Sequence, residues 1–144
     1  MQDLINHLRN HEYMSGIARD KDRQKSTGEI FTPTALVQEI LGKLPAELFT
    51  DPTKTFLDPS VGDGQFLSEV LIRKLENDIP FDIALKSVYG VDLMPDNVKL
   101  CQDRLLCGKE EYRWIVEKNI VCHDSLTYDY TFGEKEGLDA LFDL

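Results

Sequence analysis

The chain has 144 residues, of which 42% are apolar and 29% charged, and this size and composition predict a single soluble globular domain. Sixteen Lys and Arg against 26 Asp and Glu give a net charge of −10 at pH 7. A protein that grips DNA unaided is more often basic, because phosphate neutralisation supplies much of the affinity. The charge therefore argues against DNA binding by this chain alone.

Neither a membrane span nor a secretion signal is predicted. The sequence has no run of roughly 18 consecutive apolar residues, and its start lacks the basic-then-apolar layout of a signal peptide. Three scattered cysteines, Cys101, Cys107 and Cys122, are typical of free buried thiols in a reducing compartment. We therefore expect a cytoplasmic protein without a membrane partner.

The N-terminal part divides into an apolar stripe and a charged stretch. Residues 1–19 carry a loose helical periodicity and predict a packing helix. Residues 19–28 are charged and rich in breakers, which predicts a loop; it is the most basic local segment, although such charge runs are usually solvated. We interpret residues 1–23 as an N-terminal helix and charged loop, and residues 24–144 as the main domain.

Strands and helices are predicted to alternate from Thr32 onwards. Thr32 is placed to cap a helix that has Pro33 at its first position. The further predicted elements are, in order, a strand at 55–58, a helix after Gly64, a helix at 81–86, a strand at 88–92, a helix from 94, a helix at 110–118, a strand at 119–124, a loop at 127–137 and a strand at 138–144. This alternation predicts an open three-layer α/β domain with a parallel sheet.

The segment Phe56–Leu67 joins a strand to a helix through a turn that contains Gly62 and Gly64. Glycine allows positive φ and lets a ligand approach the backbone, and the following helix points unpaired N–H groups at the same place. The dinucleotide fingerprint G-x-G-x-x-G is absent, since its third glycine falls at Leu67. The pattern predicts a nucleotide-like site for a ligand that is not a pyrophosphate.

Asp58, Asp92 and Asp124 each follow an apolar strand, at the edge where parallel sheets bind ligands. Each also has a structural interpretation, because Asp commonly caps turns and helices. Together beside the glycine turn they favour a ligand site. Asp92 is suited to both ribose hydroxyls of a nucleoside and Asp124 to an exocyclic amine, with Leu93 and Leu126 placed to sandwich a flat base.

Four motifs carry a family resemblance: Phe31-Thr32-Pro33, Asp58-Pro59-Ser60-Val61-Gly62-Asp63-Gly64, Gly90-Val91-Asp92 and His123-Asp124-Ser125. In this order they resemble the S-adenosylmethionine (SAM) binding half of the adenine-N6 DNA methyltransferases, over roughly residues 24–144. The closest layout is the group that includes the modification subunits of restriction systems. The resemblance implies a Rossmann-like αβα domain with a mostly parallel sheet.

The resemblance also implies a cofactor role for residues along this edge. Phe31 packs on SAM, Thr32 meets its methionine carboxylate and Asp58 holds its ammonium. Asp92 binds the ribose and Asp124 the adenine amine. The complete implied cofactor set is Phe31, Thr32, Asp58, Pro59, Gly62, Gly64, Asp92, Leu93, Asp124, Ser125 and Leu126. The family pattern is broken at Val61, often a small residue or cysteine, and at Asp63, which we expect to add an acid near the methionine end.

The catalytic motif of the family, Asn or Asp followed by Pro-Pro-Tyr or Pro-Pro-Phe, does not occur in the sequence, and all six prolines are isolated. That motif orients a poorly nucleophilic adenine amine and stacks on the flipped base. We therefore assign no catalytic residue and expect a domain that is catalytically incomplete alone, with a sheet incomplete at its C-terminus.

The predicted strand at 138–144 has apolar side chains on both faces, and only Asp139 and Asp143 protect it. Apolar edge strands recruit other chains. We expect a second copy, or the polypeptide that carries the missing motif, to cover it, and DNA to be met only through that partner or a missing domain.

Two other functions remain open on the sequence. One is a lyase or hydrolase that consumes SAM, with Asp63 near the sulfonium. The other is a non-catalytic acidic protein that binds a restriction–modification subunit or mimics DNA. No metal site is predicted, because the pair Cys122-His123 lacks two further ligands at zinc spacing.

Overall fold

The computed structural model describes residues 1–10 and 32–134. In that part three parallel strands, in the spatial order β1-β2-β3, are surrounded by helices. The elements are α1 Gln2–Asn10, α2 Thr34–Gly42, α3 Glu47–Thr50, β1 Phe56–Asp58, α4 Gln65–Glu76, α5 Phe81–Lys86, β2 Val88–Asp92, α6 Pro95–Leu106, a 3₁₀ turn Glu110–Tyr112, α7 Arg113–Asn119 and β3 Ile120–Cys122. The chain is therefore an α/β protein with a small parallel sheet.

The register brings the ends of the strands to one edge. Asp58, the last residue of β1, pairs with Gly90, and Asp92, the last residue of β2, pairs with Cys122. All three strands run in the same direction because helical crossovers join β1 to β2 and β2 to β3. The carboxyl ends of the strands therefore form the edge on which the sequence places its three acids.

Helix α4 is the centre of the core. Its apolar residues recur at helical spacing, and Leu67, Val70, Leu71 and Leu75 are buried. It packs against β1 and β2 and against helices α1, α2, α3, α5 and α6. Because α4 begins directly after Gly64, the best-packed helix in the described residues fixes one side of the glycine turn.

The N-terminal helix is part of this core. Ile5 and Leu8 are buried, and Arg9 forms an ion pair with buried Glu69 of α4 at 3.2 Å. The Leu8 carbonyl accepts hydrogen bonds from Nε and Nη2 of buried Arg104 of α6, at 3.2 and 3.1 Å. Helix α1 thus holds together the two helices that begin beside the candidate site.

Buried Lys74 of α4 joins the starts of β1 and β2, at the opposite edge of the sheet. Its Nζ donates to the Lys54 carbonyl at 2.5 Å and to Ser87 Oγ at 2.7 Å, and it lies 5.2 Å from the centre of the Phe56 ring. Burial lowers the pKa of Lys74, and the charge of Asp51 partly opposes that effect. This amino edge is braced by packing and hydrogen bonds, whereas the carboxyl edge is open.

Two predicted boundaries are corrected. Pro33 precedes α2 as its N-cap with extended ψ of 145°, and its carbonyl accepts the N–H groups of Leu36 and Val37. Thr32 therefore does not cap the helix from the position expected. Strand β3 ends at Cys122, so Asp124 follows the strand by two residues. The reason is that the Asp124 carbonyl turns to accept two later N–H groups, from Thr127 and Tyr128.

The other predicted elements agree to within a few residues where they are described, and several predictions lie outside the described residues. Those are residues 11–19 of the N-terminal helix, the loop at 19–28, Phe31, the last part of the loop at 127–137 and the strand at 138–144. The cysteines are all free, but only Cys101 is buried, while Cys107 is half-buried and Cys122 exposed. Within the described part, every helix is too short or too polar to cross a membrane.

Candidate functional site

The glycine turn is fastened to the neighbouring strand. Val61 donates its N–H to the Val91 carbonyl of β2 at 2.9 Å, and Gly64 donates back to the Val61 carbonyl at 2.9 Å. Gly62 and Gly64 have φ of 56° and 94°, values that favour glycine over residues with a Cβ. The sequence therefore correctly marks these glycines as conformational requirements.

Close packing under the turn is a second reason for glycine. A Cβ on Gly64 would lie 2.8 Å from Cys101 Sγ, and a Cβ on Gly90 would lie 2.7 Å from Val61 Cγ2. Val61 is buried at 3% exposure, so the bulkier residue at this position is accommodated because Gly90 has no side chain. Burial raises the pKa of the Cys101 thiol well above its ordinary value, which makes Cys101 a packing residue.

Asp58 lies at the mouth of the turn and is half-buried. Its Oδ1 accepts the Ser60 N–H at 3.0 Å. Burial raises the pKa of Asp58, the Ser60 hydrogen bond opposes this, and the charge of Asp92 reinforces it. The charge of Asp92 thus disfavours ionisation of Asp58, whereas a cation beside Asp58 would favour it.

Asp92 is held by three donors from the chain. Its Oδ1 accepts the Gly62 N–H at 3.3 Å. Its Oδ2 accepts the Met94 N–H at 3.0 Å and Asn97 Nδ2 at 3.1 Å. Asn97 is fully buried in the first turn of α6. Sequence reasoning missed Asn97; the only local signal is a short amide side chain in the first turn of the helix that follows the strand-end acid.

The segment after β3 brings Asp124 to the same edge. The N–H of His123 donates to the Asp92 carbonyl at 2.9 Å, and Asp124 Oδ1 accepts the Leu126 N–H at 2.9 Å. Leu126 is 91% exposed and Leu93 is 55% exposed. Two exposed apolar side chains therefore lie close in sequence to Asp92 and Asp124.

An aromatic strap, residues 127–134, follows this turn. The Tyr128 ring lies 4.9 Å from the His123 ring and 5.3 Å from the Phe132 ring, and Phe132 packs on Tyr89 of β2 at 4.9 Å. Tyr130 Oη donates to the Ser125 carbonyl at 2.6 Å. The sequence interpretation as a polar loop missed this cluster, although its aromatics alternate at every second position.

The Phe31-Thr32-Pro33 motif lies only partly within the described residues. Thr32 is half-buried, and Phe31 lies outside the described residues. Nearby, Gln65 Nε2 donates to Thr34 Oγ1, so the first turn of α2 is bonded to the first turn of α4. Thr32 therefore precedes a helix that begins next to the glycine turn.

The expectation that Asp63 adds an acid near the methionine end is wrong. Asp63 is 1% exposed, and its Oδ1 lies 3.9 Å from Nη1 of buried Arg104. The carboxylate faces the core because α6 supplies a guanidinium there. The single feature that suggested a SAM-consuming lyase or hydrolase is thereby explained as an internal ion pair.

An apolar groove of about 220 Å³ lies beside β1. Its lining residues come from α2, β1 and α4: Leu41, Phe56, Leu57, Asp58, Phe66, Leu67 and Val70. Leu57 is 49% exposed. Among the described residues, the groove therefore presents a mainly apolar lining that reaches Asp58.

Comparison with known proteins gives one match. A family model described as N-6 DNA Methylase matches residues 11–142. The search of curated proteins and the search of solved structures each found no match.

Proposed function

Because this chain belongs to the N-6 DNA methylase family, we propose that it forms the SAM-binding half of an adenine-N6 DNA methyltransferase. The family is generally SAM-dependent. The observation that carries the proposal is that Asp58 and Asp92, at the ends of neighbouring strands, both accept backbone N–H groups of the glycine turn, from Ser60 and Gly62, at the carboxyl edge of the sheet. That edge is where ligands of open α/β sheets bind.

The donor set fits SAM. A pair of repelling carboxylates favours a ligand that carries positive charge, and SAM has both an ammonium and a sulfonium. A phosphate-bearing ligand would add negative charge beside Asp58 and Asp92, which disfavours a nucleotide or dinucleotide. The exposed Leu93 and Leu126 offer apolar cover for an adenine ring.

At the methionine end we assign binding to Asp58, with the Gly62 and Gly64 backbone lining the approach beside Pro59. Thr32 and Phe31 complete this end of the site in the proposal. Asp58 is half-buried, so an ammonium there forms a charge-assisted hydrogen bond that is screened less than one at the surface.

At the adenosine end we assign the ribose to Asp92 and the adenine amine to Asp124. Ser125 lies between Asp124 and Leu126, and its carbonyl is fixed by Tyr130. The aromatic strap therefore supports the segment that would read the adenine, whereas Leu93 comes directly after β2.

SAM supplies an electrophilic methyl group when it is bound. The residues described here bind and orient such a cofactor, and none of them is placed to accept protons from an adenine amine. Because the Asn/Asp-Pro-Pro-Tyr/Phe motif does not occur in these 144 residues, we propose that residues outside 1–144, in the same or another polypeptide, supply it and contact the DNA.

The finer architecture is also part of the proposal. In doubly wound sheets the strand order reverses beside the first strand, and the fourth strand lies on its far side. We propose that the described strands belong to a Rossmann-like three-layer fold whose sheet continues past β1. We further propose that the predicted apolar strand at 138–144 mediates association with a second copy or with a partner of the restriction–modification type.

A two-part experiment tests the function. Calorimetric titration with SAM and S-adenosylhomocysteine should give saturable binding, whereas ATP, as the phosphate-bearing control, should bind far more weakly. Incubation with SAM carrying a radioactive methyl group and mixed-sequence DNA should leave the DNA unlabelled. No heat with either SAM ligand at millimolar concentration would overturn the cofactor assignment, and N6-methyladenine in the DNA would overturn the proposed incompleteness.

A further inference from the structure

We infer that Asn97 is a positioning residue that makes Asp92 present a single carboxylate oxygen to the ribose of the cofactor. The inference rests on the proposed function. It concerns how many hydroxyl groups the site recognises, and it turns on a buried amide that contacts Asp92 from the neighbouring helix.

One carboxylate oxygen of Asp92, Oδ2, has both of its acceptor positions filled by groups of the chain itself. Oδ2 accepts the Met94 N–H at 3.0 Å and Asn97 Nδ2 at 3.1 Å. Each oxygen of an ionised carboxylate has about two acceptor positions. Asn97 is fully buried, so its amide does not swing into solvent to release Oδ2.

The other oxygen keeps room for one donor. Oδ1 of Asp92 accepts only the Gly62 N–H among the described hydrogen bonds, at 3.3 Å. A ribose offers two neighbouring hydroxyl groups, but one open acceptor position takes one of them. The Asp92 carboxylate therefore accepts a hydrogen bond from one ribose hydroxyl, and its two oxygens do not bind both hydroxyls.

Removal of the Asn97 amide would increase the number of Asp92 acceptor positions that are open to ribose hydroxyls. Oδ2 would regain an acceptor position, so both oxygens of Asp92 would each have one place for a hydroxyl. The carboxylate would also turn more freely. The two hydroxyls would then be recognised more equally, with a lower overall affinity.

The test compares S-adenosylhomocysteine with its 2′-deoxy and 3′-deoxy analogues by calorimetry. For the wild-type chain, one deoxy analogue should bind about tenfold weaker or worse than the parent, and the other within about threefold, because a hydrogen bond to a charged group is lost in only one case. For Asn97→Leu, a near-isosteric change without a donor, the two analogues should differ from each other by less than about threefold.

Asn119→Leu is the matched control. Asn119 is also a buried amide; its Nδ2 donates to the carbonyls of Lys86 and Val88, both at 3.2 Å, at the opposite end of β2. This variant should lose stability yet keep the wild-type difference between the analogues. Asn97→Ala, which leaves a smaller side chain in the same place, provides a second variant should Asn97→Leu not fold.

The outcomes separate the inference from the function on which it rests. Wild-type binding with equal loss for both deoxy analogues, or an unchanged difference in both Asn97 variants, would overturn the role of Asn97 and leave the cofactor assignment intact. Failure of the wild-type chain to bind S-adenosylhomocysteine at all would overturn both.

Discussion

At the scale of single residues, the Asp92 carboxylate links the glycine turn, the start of α6 and the proposed ribose site. Asp92→Ala should weaken S-adenosylhomocysteine binding by about 1.5–3 kcal/mol, the usual range for a hydrogen bond to a charged group. It should also lower the melting temperature, because Gly62, Met94 and Asn97 lose their acceptor. Calorimetry and thermal unfolding measure the two effects.

Asp51→Ala is the control for that substitution. Asp51 also caps a local turn, since its Oδ1 accepts the N–H and Oγ1 of Thr53 at 2.9 and 2.7 Å. It lies before β1, at the amino edge of the sheet. This variant should lose stability without loss of affinity; equal affinity losses for both variants would contradict a ribose role for Asp92.

Asp58 predicts a pH dependence of binding. Burial and the neighbouring Asp92 charge raise its pKa in the free chain, while a bound ammonium favours the ionised carboxylate. Binding should therefore release a proton near that raised pKa, and affinity should increase as pH rises through the raised value. Calorimetry over a series of acidic pH values, in two buffers of different ionisation enthalpy, detects the released proton.

Asp58→Asn checks the sign of this effect. The folded state binds the Asp58 proton more tightly than the unfolded state does, so wild-type stability falls as pH rises from the unfolded pKa through the raised folded one. At neutral pH the variant should be as stable as the wild type or more so, yet bind S-adenosylhomocysteine more weakly and release less proton. A variant that is destabilised at neutral pH, with unchanged affinity, would refute a ligand role for Asp58.

At the scale of elements, the glycine turn depends on the fit between Val61 and Gly90 of β2. Gly90→Ala would bring a Cβ to 2.7 Å from Val61 Cγ2. Overpacking of this kind costs about 1–3 kcal/mol of stability, and the shifted turn should also weaken cofactor binding. Denaturant unfolding and calorimetry measure both.

Gly42→Ala is the same chemical change where nothing lies within 4 Å of the added Cβ. It should leave stability within about 0.5 kcal/mol or raise it slightly, as alanine is the better helix former. If Gly90→Ala were equally harmless, the fit of Val61 against β2 would not be a constraint on the turn.

Local patterns predicted the elements, and long-range contacts explain what they missed. The periodicity of α4 and the turn residues after Asp58 are encoded within a few positions, so β1, α4 and β2 were predicted with nearly correct bounds. The direction of the Asp63 side chain was not predicted correctly, because its partner Arg104 lies far along the chain. Only packing reveals such partners, since a side chain and its distant contact share no local spacing.

The acids illustrate the same limit at the site. Asp58 and Asp92 end their strands as predicted, since an apolar run followed by Asp is a local signal. Asp124 falls two residues beyond β3, because its carbonyl and carboxylate form a turn with the residues after it. Hydrogen bonds of this kind compete with those of the strand ladder. Sequence composition alone does not predict whether the strand continues or the turn forms.

At the scale of the whole molecule, the apolar sequence of residues 138–144 predicts association. Leu141→Lys should abolish self-association or partner binding, because a charged side chain on an apolar edge opposes strand addition, while affinity for S-adenosylhomocysteine stays unchanged. Sedimentation at high micromolar concentration measures the assembly. Ile83→Lys, at an exposed position of α5, is the control and should leave association intact. A wild-type chain that stays monomeric without a partner at any concentration would contradict self-association.

The central claim is that the carboxyl edge of the sheet binds the cofactor, and chemical-shift mapping tests it most directly. Titration of S-adenosylhomocysteine into isotope-labelled protein should shift the amide signals of Gly62, Gly64, Leu93 and Leu126 together, with one shared dissociation constant. Signals from the groove lined by Gly42, Phe49 and Asn77, a separate depression of about 330 Å³, should stay in place. Shifts confined to that groove, or none at saturating ligand, would contradict the account.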